Sequence, residues 1–244
     1  MKKIFLIGFG LSCLVGLNSC EKTTTTDAEL HAAFEEFDTG ACTIYTSDDD
    51  VVIETTGLPN HTSPYWSSTH ELYTAPTVTT AAEMAPGNID NFNGSYSLTV
   101  SSAPEVATTS SSTGLGAIGI AVSGAVIYND EEGPNVPLDN AVGSLDYTAA
   151  HTGPQSYHYH LEPKAWSDDD DKLIGIIADG FFLYGRKDYD GTYPTDLDAS
   201  GGHFGPTPHN ADGEYHYHIQ NILYLNEYYI LFPGDYQGTP SEIR

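Results

Sequence analysis

The tetrapeptide Tyr157-His158-Tyr159-His160 recurs as Tyr215-His216-Tyr217-His218. Alternate side chains of a β-strand share a face. Read as a strand, each copy presents two imidazoles on one side and two phenols on the other. Two imidazoles at i and i+2 are close enough to share a metal ion. If the two copies face each other, four imidazoles converge on one point, and a single shared ion is the expectation.

The copies sit in a longer repeat. Ile118 to Tyr128 aligns without a gap with Ile174 to Tyr184 at an offset of 56 residues, and the tetrapeptides lie 58 apart. Each half reads as an apolar strand, a glycine turn (Ser123-Gly124 or Asp179-Gly180), a second apolar strand, an acidic Gly/Pro loop and a histidine-bearing strand. Internal similarity of this length means repeated structure, with repeats at about 114–165 and 170–222. Gly 24, Pro 14 and Tyr 17 favour strands and turns over helices. The expected fold is mainly β: one compact β-rich domain over 27–244, sandwich or barrel-like, with an internal two-fold duplication.

Around the repeats the chain reads as follows. Asp27 to Phe37 has helical spacing of Leu30, Ala33, Phe34 and Phe37, with Asp27 as its cap. Cys42–Ser47 and Val51–Thr56 are strand candidates split by an acidic turn, Asp48-Asp49-Asp50. Gly57 to His61 then breaks the chain into a loop. Tyr96 to Val100 alternates like a half-buried strand. Ile222 to Phe232 reads as a terminal hairpin turning at Asn226-Glu227.

Seven of the ten histidines fall in or beside these motifs. His158, His160, His216 and His218 are the first candidates for metal ligands. His151 and His203 precede the two tetrapeptides, in Ala-His-Thr-Gly-Pro and Gly-Gly-His-Phe-Gly-Pro, where glycine permits close approach. His61, just after a strand and held between Pro and Trp, is a seventh candidate. His209 has no partner in the first half and ranks below His203. Imidazole suits zinc, copper, nickel and iron, and copper or zinc is the expected cofactor. A hydrogen-bonded core pair or a surface stripe also fits one copy of the motif. Two copies, each with a further histidine upstream, favour the metal.

The carboxylates leave more readings open. Asp179 interrupts an apolar strand pair, where a charge is costly unless paired. It caps the turn at Gly180, orients a ligand histidine, or serves as a catalytic base. Asp188, Asp190, Asp196 and Asp198 crowd one loop; calcium fits such oxygens, although the spacing is not that of an EF-hand and a solvated loop fits as well. Asp168 to Asp171 reads as a solvated tip. No Gly-x-Ser-x-Gly, His-Glu-x-x-His, Gly-x-Gly-x-x-Gly or phosphate loop is present.

Net charge is −26, with Lys+Arg 8 against Asp+Glu 34. Such a surface repels phosphate backbones and anionic bilayers, so nucleic acid is not an expected partner. Lys2 and Lys3 precede an apolar run, Ile4 to Leu17, too short to span a bilayer. Leu17-Asn18-Ser19-Cys20 follows. We expect 1–19 to be a lipoprotein signal peptide and Cys20 to be lipidated. Residues 20–26, rich in threonine, would tether the domain to the membrane. With Cys13 removed and Cys20 modified, Cys42 has no disulfide partner.

Several of these stretches resemble the bacterial YHYH-domain family: Gly57 to His61, Gly119 to Gly124, Tyr157 to His160 with Leu-Glu-Pro, Ala178 to Gly185, Thr195 to Asp198, Gly201 to His203, and Tyr215 to His218. They extend over roughly 45–237. The resemblance implies export, secretion or lipid anchoring, and one fold over this span; it implies no catalytic residues. The sequence thus supports an extracytoplasmic, lipid-anchored protein of the cell envelope that binds a transition metal. The alternatives are a metal-dependent hydrolase or oxidase, and a cell-surface binding module whose histidines only brace the fold.

Overall fold

The computed structural model describes residues 29–76, 83–85, 87–92, 94–153 and 156–244. The expected signal, Cys20, the tether and the Asp27 cap lie outside these residues. Of the expected N-terminal helix there remains a 3₁₀ turn, Ala32–Glu36, capped by the His31 ring, which accepts from the Ala33 N–H.

Among the described residues fifteen strands follow: β1 Cys42–Ser47, β2 Asp50–Thr55, β3 Tyr96–Ser101, β4 Gly119–Ala121, β5 Val126–Ile127, β6 Glu131–Gly133, β7 Val136–Pro137, β8 Ala150–Thr152, β9 Tyr157–Tyr159, β10 Leu173–Ile177, β11 Phe182–Tyr184, β12 Gly202–Thr207, β13 Asn210–His218, β14 Leu223–Tyr224 and β15 Tyr228–Tyr229. The chain is mainly β, as its composition implies. β1, β2 and β3 form an antiparallel sheet in that order. Asp48, with φ 55°, makes the tight turn between the first two, so Asp50 belongs to the strand rather than the turn.

An eight-stranded sheet carries the rest, in the order β12-β13-β11-β10-β4-β5-β9-β8. β4 and β10 are antiparallel neighbours at its centre. Counted outward from that junction the two flanks agree in sense as well as order. β5 and β11 return antiparallel through turns at Gly124 (φ 96°) and Gly180 (φ 92°). β9 and β13 pair parallel to them, and β8 and β12 close the edges antiparallel.

The three-stranded sheet covers one face of this sheet. Val51, Ile53, Leu98 and Val100 share a buried cluster with Ile120, Ile176, Phe181 and Tyr217. The Thr55 hydroxyl donates to the Gly124 carbonyl at 2.6 Å, pinning the β4–β5 turn under β2. The tyrosines of both tetrapeptides lie in this buried layer. The histidines therefore face away from it, on the opposite side of β9 and β13. Among the described residues no helix is long and apolar enough to cross a membrane.

Candidate metal centres

Each histidine pair is completed by its neighbouring edge strand. In the β8–β9 ladder His151 stands directly opposite His158; in the β12–β13 ladder His203 stands opposite His216. Direct cross-strand partners are the closest side chains a sheet offers. His160 and His218 lie two residues further on the same faces. A carboxylate joins each triad, Glu132 from β6 in the first half and Asp188 from the loop after β11 in the second. The ligand atoms of Glu132, His151, His158 and His160 lie within 4.8 Å of one another, and so do those of Asp188, His203, His216 and His218.

The two groups do not meet. β13 and β9 are separated by β11, β10, β4 and β5, five steps of about 4.8 Å, or about 24 Å along the sheet. The single four-imidazole cage expected from the sequence is thus replaced by two groups. Each histidine strand pairs with its own half's second apolar strand, in parallel, and this carries the two tetrapeptides to opposite flanks.

Hydrogen bonds fix which ring nitrogen faces inward. In the first group the His158 Nδ1–H donates to the Ser156 carbonyl (3.2 Å) and the His160 Nδ1–H to the Asn129 carbonyl (2.7 Å). His151 Nδ1 lies 2.7 Å from the Ser144 hydroxyl, whose own hydrogen is directed to the Ala141 carbonyl. With that hydrogen on the Ala141 carbonyl, the serine oxygen accepts and Nδ1 carries the proton. In the second group the His216 Nδ1–H donates to the Glu214 carbonyl (3.0 Å), the His218 Nδ1–H to the Gly185 carbonyl (2.8 Å) and the His203 Nδ1–H to the Asp196 carboxylate (2.8 Å). In the neutral ring the other nitrogen is then a bare lone pair.

All six lone pairs point inward. Nε2 of His151 lies 3.0 Å from Nε2 of His158, and Nε2 of His216 lies 2.9 Å from Nε2 of His218. Glu132 Oε1 approaches His151 and His160 Nε2 at 3.3 and 3.2 Å; Asp188 Oδ1 approaches His203 and His218 Nε2 at 3.2 and 3.4 Å. Nε2 of His160 and of His203 are buried and make no hydrogen bond. Acceptors packed this closely repel unless a cation lies between them. Four donors about 2.0–2.1 Å from a central ion stand about 3.3 Å apart when tetrahedral, close to the separations of these six pairs, the remaining pairs lying within 4.8 Å.

Burial disfavours the charged form of three of these rings. Burial, reinforced by the neighbouring imidazoles, pulls His158 well below its ordinary value. Burial likewise draws His216 and His218 down to about 4. Neutral imidazole beside carboxylate is the protonation state a metal requires.

The remaining candidates stand elsewhere. His61 lies on the tyrosine side, its Nε2 2.5 Å from the Tyr159 hydroxyl, and is not brought to either group. His209 contacts the Tyr184 hydroxyl through Nδ1 and Glu36 through Nε2. Asp179 is buried against the other face, accepting from the Tyr217 hydroxyl (2.6 Å) and the backbone of Gly238 and Gln237. It touches no ligand histidine.

The four aspartates after β11 form no oxygen cage. Asp188 faces the histidines, Asp190 binds Thr192, Asp196 backs His203 and Asp198 accepts from the Tyr215 hydroxyl. Nor is the acidic run merely solvated, since Asp168 and Asp169 pair with Arg186. Glu132 and Asp188 were not singled out as ligands by the histidine pattern. The offset of 56 held the signal: continued four residues past Tyr128 and Tyr184, it aligns Glu132 with Asp188.

Residues 95–194 match the family model described as YHYH protein. That span takes in the first tetrapeptide, Glu132 and His151, and ends before His203. No curated protein matches the chain, and no solved structure does. Over residues 95–194 the chain is thus similar to the YHYH protein family, in agreement with the resemblance carried by its motifs.

Proposed function

We propose that this protein binds two transition-metal ions, each through three imidazole Nε2 atoms and one carboxylate, and that it does so outside the cytoplasm. The observation that carries the reading is the commitment of all six Nδ1 atoms to outward hydrogen bonds. It leaves six inward lone pairs and two carboxylates with no proton to share. Imidazole with one carboxylate suits zinc or copper.

Retention of the ions, rather than turnover of a substrate on them, is the form of the function we favour. Each group already offers four donors, three imidazoles and one carboxylate, enough to fill a tetrahedral ion. A catalytic ion needs an open position. The matched partners of the two halves support an origin by internal duplication. Ser123 and Asp179 contact the second tyrosine of their tetrapeptides, and Asp146 and Asp198 contact the first. Lipid anchoring at Cys20 rests on the sequence around it, and agrees with an acidic chain that stays off anionic lipid except through its tether.

Metal analysis of the protein purified without a histidine tag tests the reading. About two ions per chain are expected. Replacing His216 and His218 with alanine should remove one ion and leave the other. Protein that holds no zinc or copper after exposure to either would refute it. Replacing Cys20 with serine should release the protein from membranes with its metal content intact.

A further inference from the structure

We infer that the two centres are unequal, and that Asp196 makes the His203–His216–His218 centre the one that fills first; this rests on reading both groups as metal centres. The groups match residue for residue, so their differences are few and can be weighed. Each has three imidazoles and one carboxylate, and these contributions cancel. Two carbonyls back two of the histidines in each group, and these cancel as well. What differs is the group behind the upstream histidine. His151 donates to the neutral Ser144 hydroxyl, and His203 donates to the Asp196 carboxylate.

A carboxylate accepting from Nδ1–H makes the opposite nitrogen a stronger donor to the ion, and such partners change affinity by about 10–100-fold. The Asp196 side chain is 70% exposed. Water therefore screens its longer-range attraction for the cation. The direct hydrogen bond of 2.8 Å survives exposure, and about tenfold, the low end of that range, is the difference to expect.

The backbone points the same way. The His218 N–H donates to the Gly201 carbonyl at 2.8 Å; the equivalent bond, from the His160 N–H to the Ala149 carbonyl, is 3.4 Å. Gly201 and Ala149 both have positive φ, 84° and 63°. Glycine adopts that conformation freely and alanine does not. The second centre is held by an unstrained turn and the first by a strained one, so the second is better preorganised.

Stepwise titration of the metal-stripped, full-length protein in mild detergent with cobalt(II), against a chromophoric chelator, tests the inference. Two phases about tenfold apart are expected, and His216→Ala should abolish the tighter. Asp196→Asn keeps the shape and an acceptor but loses the charge; it should weaken the tighter phase about tenfold and leave the weaker unmoved. Asp196→Glu should restore the gap. Equal affinities, loss of the weaker phase in His216→Ala, or a tight phase indifferent to Asp196→Asn would overturn the inequality while leaving two metal centres standing. Cobalt binding in neither half would sink both readings together.

Discussion

Asp179 accepts a hydrogen bond from the Tyr217 hydroxyl and from two backbone N–H groups of the C-terminal segment, Gln237 and Gly238. Burial pushes its carboxyl above the ordinary range, while these donors oppose the shift. Its work is to tie the chain's end to the buried tyrosine layer. Asp179→Asn should therefore leave metal content unchanged. It should destabilise the fold by about 1–3 kcal/mol, the range for impairing buried hydrogen bonds to a charged group, read as a lower urea midpoint. A second residue-scale prediction concerns Ala149, held at φ 63° where its counterpart is Gly201. Ala149→Gly relieves a left-handed strain of about 1–2 kcal/mol, part of which returns as the greater entropy of an unfolded glycine. A net gain of up to about 1 kcal/mol is expected by denaturant titration, with the reverse sign for Gly201→Ala. At this scale the sequence was legible where chemistry recurs. His151 and His203 stand out because each precedes a tetrapeptide. Glu132 and Asp188 hide because acidic residues are common in exposed loops, and only their matched offset sets them apart. His61 has the composition of a rigid ligand loop, but its partner is a phenol.

Strands were the most legible elements. The apolar runs, the glycine turns and the hairpins fall where alternation and turn residues put them, because each depends on residues close in sequence. The terminal hairpin turns where expected, one residue wider: Leu225, Asn226 and Glu227 lie between the paired Tyr224 and Tyr228, the first two at positive φ. The sheet's centre shows why glycine recurs at the same place in both halves. Gly119 and Gly175 sit on the paired strands β4 and β10. A Cβ on Gly175 would lie 2.2 Å from the Ile120 carbonyl oxygen, and one on Gly119 2.7 Å from that of Ile176. Both obstacles are backbone and cannot swing aside. Gly175→Ala should force the two strands apart and cost about 1–3 kcal/mol or more. Because the junction is common to both halves, stability should fall without favouring loss of one ion over the other. Thermal unfolding combined with metal analysis would separate this outcome from a local defect in the second centre.

The arrangement of the halves was not legible, for a physical reason. A strand's periodicity tells which side chains share a face; it does not tell which strands adjoin. The pairings β5–β9 and β11–β13 are parallel and link segments separated by long connections, so nothing local announces them. They decide whether four imidazoles form one cage or six form two centres. On the proposed reading they also decide how the molecule would lose metal. Sites about 24 Å apart along the sheet share no ligand, and perturbations that far apart act additively within about 0.5 kcal/mol. On the proposed reading each ion would stabilise the fold by binding the native state alone, by about 2.7 kcal/mol when its free concentration is a hundred times its dissociation constant. Chelation should lower the melting temperature in two increments. The His158→Ala, His160→Ala double variant should keep the increment of the second centre, and His216→Ala, His218→Ala that of the first. Calorimetry of the three proteins with and without chelator measures this. If either double variant lost both increments, the centres would be coupled through the sheet, and the independence implied by their separation would be wrong.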